Sequence, residues 1–412
     1  MSRATFANFY KLSLAPTPPG SSDEETDSDS SESVRVLFSD RADLPPIDLE
    51  QFFSRTVPWD IMCAVIAHLD FETLQTMSRV ARDHHQECAK YLWKNFTISI
   101  GQGYHASEEA ARMYINQSVA VLFSRDYTKW VRGLDIYIGT SLGKENDPLV
   151  EGSIQRIFAL LQKVTGLLQL NFSTFHHQSR CVGLFSGVNI VPNLTQISVR
   201  FGSFRVGTAL DTFWRTHPNL RSVEWDGYTD LPTANLPFLS TLRIQFGSQA
   251  TILRGNPVEE LCIQALHDRD CSALIENIRG SPSQNTMVAF NATPCDNPAR
   301  AFVYTVVLRH LPNLRSVSIV HTTMPNKEDR DTALHVLSTL RRIEVIEWGA
   351  SNFQLPEEEY DDVKDDFFRT CSQACKLLRK VTLHLYDAFP LVFVRNDPGS
   401  PWLRIPYKAP EE

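Results

Sequence analysis

Apolar residues recur along this chain in one spacing, apolar-x-x-apolar-x-apolar, from about residue 125 onward. The triplets are Val131/Leu134/Ile136, Leu167/Leu170/Phe172, Leu194/Ile197/Val199, Leu220/Val223/Trp225 and Leu239/Leu242/Ile244. They continue as Val258/Leu261/Ile263, Leu314/Val317/Ile319, Leu340/Ile343/Val345 and Leu378/Val381/Leu383. A Pro-Asn-Leu entry precedes three of them, at residues 192, 218 and 312. Alternation within each triplet predicts a short strand with one apolar face. Between the strands lie stretches of helical period: Ile154, Ile157, Phe158, Leu161 and Val164; Phe302, Val303, Val306 and Val307; Ala333, Leu334 and Leu337. One strand and one helix cannot bury both apolar faces, so neighbouring units must stack, which makes this a repeat architecture. The gap from 263 to 314 has room for one more, degenerate unit around Met287-Val288-Ala289-Phe290.

The front of the chain has a different texture. Thr56 is placed to cap a helix entered through Val57-Pro58, since proline suits a first turn whose N–H has no partner. Ile61, Met62, Val65, Ile66 and Leu69 follow at helical spacing. Asp70 is placed to cap a second helix carrying Phe71, Leu74 and Met77, and Cys88, Ala89, Leu92, Trp93 and Phe96 predict a third. Three short helices make a small unit that hides only a modest share of its surface, so it expects a partner. Ahead of it, Ser21 to Glu32 is a Ser- and acid-rich run with nothing apolar to bury, the composition of a disordered spacer. Ser22 and Thr26, each followed by acids, fit an acid-directed kinase.

Composition narrows the class. The chain has 412 residues, 42% apolar and 21% charged, and no apolar run approaches the ~18 residues of a membrane span. The start lacks a secretory signal, so a cytoplasmic or nuclear location is expected. Eight cysteines without a CxxC pair are expected to be free thiols. A formal charge of −8 and no basic cluster in the sequence argue against nucleic acid as a partner.

Residues 57 to 94 resemble the F-box, the short module that docks a receptor onto the Skp adaptor of cullin-based ubiquitin ligases. The family opening Leu-Pro-x-Glu-Ile/Leu is matched by Val57-Pro58-Trp59-Asp60-Ile61. The later steps are matched by Ile66 to Leu69, Asp70 to Leu74, Val80-Ala81-Arg82 and Leu92-Trp93. One departure is His84, where the family usually has Trp, which removes a packing anchor. The repeats resemble leucine-rich repeats, again with a departure: the Asn or Cys expected three residues after the last strand position is absent, Gly202 and Tyr228 standing there in two units. An F-box followed by such repeats is an order common in large fungal receptor families.

The resemblance implies an α/β chain: a three-helix F-box, then an irregular leucine-rich-repeat solenoid with parallel strands concave and helices convex. The divisions are 1–50 (acidic tail and linker), 51–100 (F-box), 101–390 (repeats) and 391–412 (C-terminal tail). It implies a non-catalytic receptor subunit of a Skp–cullin–F-box ligase, needing no cofactor or metal. Val57, Pro58, Ile61, Ile66, Leu69, Leu74 and Val80 would meet the Skp adaptor, and through it cullin. A protein substrate would lie on the strand face, whose outward column reads Asp135, Asn171, Ser198, Glu224, Arg243, Cys262, Ser318, Glu344 and Thr382, flanked by Arg200, Asp226 and Gln245. The alternative is a repeat scaffold that binds a protein ligand without any ligase.

Other signals weigh less. His84-His85 and His176-His177 lack the four-ligand set of a structural zinc. Cys371 and Cys375 share a helical face with Phe367 and Leu378, as core residues do. The acidic run Glu357 to Asp362 suits a helix start. No phosphate loop, nucleophile elbow or HExxH helix is present.

Overall fold

The computed structural model describes residues 58–100, 119–120, 122–123, 126–138, 148–174, 185, 191–201, 209–227, 231, 233–322, 327–350, 368–384, 390–397 and 399–405. Val57, Thr56, Cys181, His176, His177, Gly202, Tyr228 and the acidic run at 357–362 lie outside these residues. The described chain is mixed α/β and divides into two compact units between Cys88 and Ala89.

The first unit holds α1 (Trp59–Ile66), α2 (Phe71–Met77) and the start of α3 (Arg82–Leu92). Asp70 caps α2 as its position predicts, accepting from the Thr73 N–H at 2.8 Å. That bond stabilises the ionised carboxylate and holds Asp70 below the usual aspartate range. His84 is buried, its ring stacked on that of Trp59 with centroids 5.5 Å apart.

The second unit is built on a 13-stranded sheet whose strands stand side by side in sequence order. They are β1 (Asn95–Ile100), β2 (Gly133–Ile138), β3 (Gln169–Thr174), β4 (Gln196–Phe201), β5 (Ser222–Asp226), β6 (Thr241–Phe246) and β7 (Glu260–Leu266). Then come β8 (Ala289–Pro294), β9 (Ser316–His321), β10 (Val345–Ala350), β11 (Lys380–His384), β12 (Leu391–Val394) and β13 (Leu403–Ile405). The first eleven pair in parallel; β12 and β13 turn back antiparallel. The sheet therefore begins ahead of residue 101 and runs past residue 390, where sequence reasoning set its limits. Phe96, predicted on the third helix, is the first inward residue of β1.

Register explains why one spacing recurs. Phe96, Leu134, Leu170, Ile197, Val223, Leu242, Leu261, Phe290, Val317, Ile346 and Val381 are direct neighbours from strand to strand. Two residues on, Ile98, Ile136, Phe172, Val199, Trp225, Ile244, Ile263, Ala292, Ile319, Trp348 and Leu383 form a second such row. Both rows are buried in one continuous core with α4 (Pro148–Lys163), α5 (Ala209–Thr216), α6 (Asp268–Ile278), α7 (Ser283–Thr286), α8 (Asn297–Phe302) and α9 (Lys327–Thr339) along the chain between them. A strand at 289–294 confirms the degenerate unit around Met287.

Each parallel junction is fixed by the same backbone device. The carbonyl of the residue just before one strand accepts two consecutive N–H groups at the entry of the next. Lys94 O takes Arg132 and Gly133, Leu168 O takes Thr195 and Gln196, and Glu344 O takes Arg379 and Lys380, at 2.7 to 3.1 Å. The asparagines of the Pro-Asn-Leu entries tie the same turns together: Asn193, Asn219 and Asn313 donate to the carbonyls of Thr165, Pro192 and Asn285 in the preceding turn. At the exit of β6, buried Gln249 accepts from the N–H groups of Gln245 and Phe246 and donates to Gly227 O, so the turn's backbone groups find partners in one side chain.

Sequence phase slipped once. The spacing Leu340/Ile343/Val345 predicts a strand that the structure places three residues later: Ile343 closes the turn, and Ile346 and Trp348 are the inward residues of β10. Glu344 is therefore a turn residue and Glu347 holds its place on the strand. The reason is a redundancy of the pattern, since Ile343/Ile346/Trp348 satisfies the same spacing as the triplet one step earlier.

Candidate binding surfaces

On the first unit, α1 sorts its apolar residues onto two faces. Met62 and Ile66, four apart, point inward with Leu74 of α2. Ile61 and Val65, also four apart, point outward beside Trp59, and with Val80 they expose between 41% and 51% of their surface. Of the expected partner-facing set, Pro58, Ile61 and Val80 are exposed, Leu69 is half-buried, and Ile66 and Leu74 are interior. Ile66 and Leu74 offer no surface because three helices this short need them as their own core. Trp59 and Val65 replace them on the outer face; the i, i+4 relation of Ile61 to Val65 was the available signal.

On the second unit, the residues alternating with the inward rows line the other face of the sheet. Thr97, Asp135, Asn171, Ser198, Glu224, Arg243, Cys262, Asn291, Ser318, Glu347 and Thr382 are neighbours in register from β1 to β11. Every expected column residue except Glu344 stands in this row; Thr97, Asn291 and Glu347 join it. Arg200 and Asp226 face each other across β4 and β5 in the flanking row.

Strands lie only ~4.8 Å apart, so these side chains bond to one another. Asn171 donates to the Asp135 carboxylate at 2.5 Å, while desolvation raises the Asp135 pKa against that bond and one from Thr97. Glu224 sits between Arg200 at 3.1 Å and Arg243 at 3.9 Å. Burial likewise raises Asp226, with the Arg200 charge opposing and the Glu224 charge adding. Cys262 is half-buried and its thiol is pushed up by desolvation, which leaves it protonated rather than a nucleophile. Glu347 is the reverse case: hydrogen bonding from His384 at 2.7 Å and from Ser318 at 2.7 Å holds its carboxyl below the usual range despite burial. His384 had no signal in the sequence, because its place beside Glu347 depends on the register of β10 with β11.

Chemically this face offers paired charges, amides and hydroxyls in alternation, a surface that can meet the backbone and side chains of a polypeptide. Among the described residues no three His, Cys, Asp or Glu side chains cluster to hold a metal ion, and no helix is long and apolar enough to cross a membrane. Cys371 and Cys375 are fully buried, and burial pushes both thiols up, Cys375 to about 11. No family model matches the chain, and no curated protein matches it.

Proposed function

We propose that this chain is the substrate-recognition subunit of a Skp–cullin–F-box ubiquitin ligase, with an F-box at 58–92 and a leucine-rich-repeat solenoid from β1 onward. The observation that carries the reading is the outer face of α1, where Trp59, Ile61 and Val65 remain uncovered while Met62 and Ile66 complete the interior. A small unit that has filled its core and still presents three large apolar side chains has the form of a docking module. The sequence-ordered strands, with polar side chains bonded along one face, support the second half of the reading, a rigid surface for a protein substrate. The ligase role needs no chemistry from this chain: holding a substrate near a recruited conjugating enzyme raises its effective concentration.

The test is capture of purified Skp adaptor by the full chain, followed by cullin. Ile61→Glu with Val65→Glu should weaken capture by about thirtyfold or more, the loss of ~2 kcal/mol typical of an interface hot spot. Both residues are exposed, so the circular dichroism and melting of the variant should match the parent. A parent chain that fails to bind the adaptor overturns the ligase reading and leaves a ligase-independent scaffold.

A further inference from the structure

We propose that the strand-entry turns ahead of β9, β10 and β11 form a docking strip for a protein partner that presents an acidic segment. This strip lies at the strand entries and meets the polar strand face only through Lys380, the first residue of β11, whose charge favours the Glu347 carboxylate; it stands whether or not the chain binds a Skp adaptor.

Three adjacent turns, 312–316, 341–345 and 376–380, carry Arg315, Arg341, Arg342, Lys376, Arg379 and Lys380 against one carboxylate, Glu344. All six cations are exposed. Register makes them neighbours: Ser316, Val345 and Lys380 stand side by side, and Arg315 O, then Glu344 O, hold the entries of the next strands. The rim therefore gathers positive charge across two strand spacings, about 10 Å between the outer strands. In the sequence these residues are scattered over some 65 positions and form no basic run, which is why only the fold shows them.

Among the described residues, close ion pairing leaves most of this charge unspent, Lys380 acting on Glu347 only at longer range. Arg342 donates to Asn313 at 2.6 Å, continuing the row of asparagine bridges, and Arg315 approaches Glu344 at only 3.8 Å with its own side chain 64% exposed. One cation per turn would match the negative end of the helix before it. The turn at 341–345 carries two and the turn at 376–380 carries three, beyond that need. The chain as a whole is −8, so this strip opposes the net charge instead of following it.

The chemistry selects the partner class. Sequence-tolerant binding of single-stranded nucleic acid relies on aromatic side chains for stacking. The three turns contain no aromatic residue. They do contain Leu377, 43% exposed at the position where other turns carry the bridging asparagine. Cations around an apolar side chain suit a segment of Asp and Glu interrupted by an apolar residue.

The experiment uses the full chain and a fluorescein-labelled peptide of about ten residues, Asp/Glu-rich with one central Leu, read by anisotropy. Binding should be measurable near 50 mM salt and fall by about tenfold or more by 200 mM, as screening requires. The triple variant Arg341→Glu, Lys376→Glu, Arg379→Glu should lose about tenfold or more, while Arg200→Glu on the strand face should leave the affinity unchanged. Equal melting temperatures would show that the triple variant is folded. No peptide binding at low salt overturns the proposal, as does equal or tighter binding of a single-stranded RNA of matched charge. If the peptide binds only after residues 21–32 are deleted, the strip is filled by the chain's own acidic tail and the reading of a separate partner is wrong.

Discussion

Gly349→Ala should destabilise the C-terminal end of the sheet by about 3 kcal/mol or more. Gly349 lies in β10 with φ near +138°, a backbone conformation that L side chains rarely adopt. A Cβ built there would stand 2.1 Å from the His384 carbonyl oxygen and 2.8 Å from its Cα. Both contacts are with backbone, so no side-chain rotation relieves them; β11 itself must move. Moving β11 also separates His384 from Glu347, which removes the bond that keeps that carboxylate ionised. In an array where each unit leans mainly on its neighbours, the damage should be local. Amide exchange should accelerate in β11 to β13 while β3 to β8 keep their protection. An alanine variant with parental exchange in Lys380–His384 would show that the strands tolerate the added methyl group.

The second large effect concerns a buried polar chain in the core. Trp348 Nε1 donates to the Tyr304 hydroxyl at 3.0 Å, and that hydroxyl lies 2.9 Å from His321 Nε2. The indole donates to the phenol oxygen, and the hydroxyl shares a hydrogen bond with Nε2, so the three side chains form one buried polar chain. Burial pushes the Tyr304 phenol up, and burial with the nearby Arg300 charge pulls His321 down to about 3. Tyr304→Phe removes one oxygen and strands two partners, so it should cost about 3 kcal/mol. A urea midpoint that moves by less than the equivalent of ~0.5 kcal/mol would show that the chain contributes little. The same histidine sets a pH dependence. The unfolded chain, with a histidine at its ordinary 6.5, binds a proton that the folded chain refuses. Stability from this residue is therefore complete above 6.5 and drains away as pH falls toward 3. Between about pH 7 and pH 5 the loss is ~2 kcal/mol, and His321→Gln, which keeps an acceptor for Tyr304, should flatten that slope.

How far the sequence could be read follows from how each feature is encoded. The strands of the second unit are written as strict local alternation, and a misphasing arises only at 340–348, where two overlapping triplets both satisfy the spacing. The entry of β1 reads as helix because Phe96 follows Leu92 and Trp93 at helical spacing and so continues the apolar residues of α3. The outward row on the strands was legible because it follows arithmetically from the inward one. What the alternation does not carry is which outward side chains meet: the Glu224 link between Arg200 and Arg243, or the Glu347 link between Ser318 and His384, depends on register between strands some 20 to 40 residues apart. The helices of the first unit show the opposite limit. Helical period groups Ile61, Met62, Val65 and Ile66 together, but only packing decides that Met62 and Ile66 go inside.

Because each parallel strand is laid beside the one made just before it, a ribosome would deliver every new strand to a waiting template, and no segment has to stay unpaired until a distant one emerges. The antiparallel pair β12 and β13 is synthesised last and covers β11, so that the growing sheet ends on a strand of only three residues. A polypeptide stopped short of residue 391 would expose the row of amides and carbonyls on β11 to any extended chain nearby, so premature release near the end of translation should be far more prone to aggregation than the finished molecule.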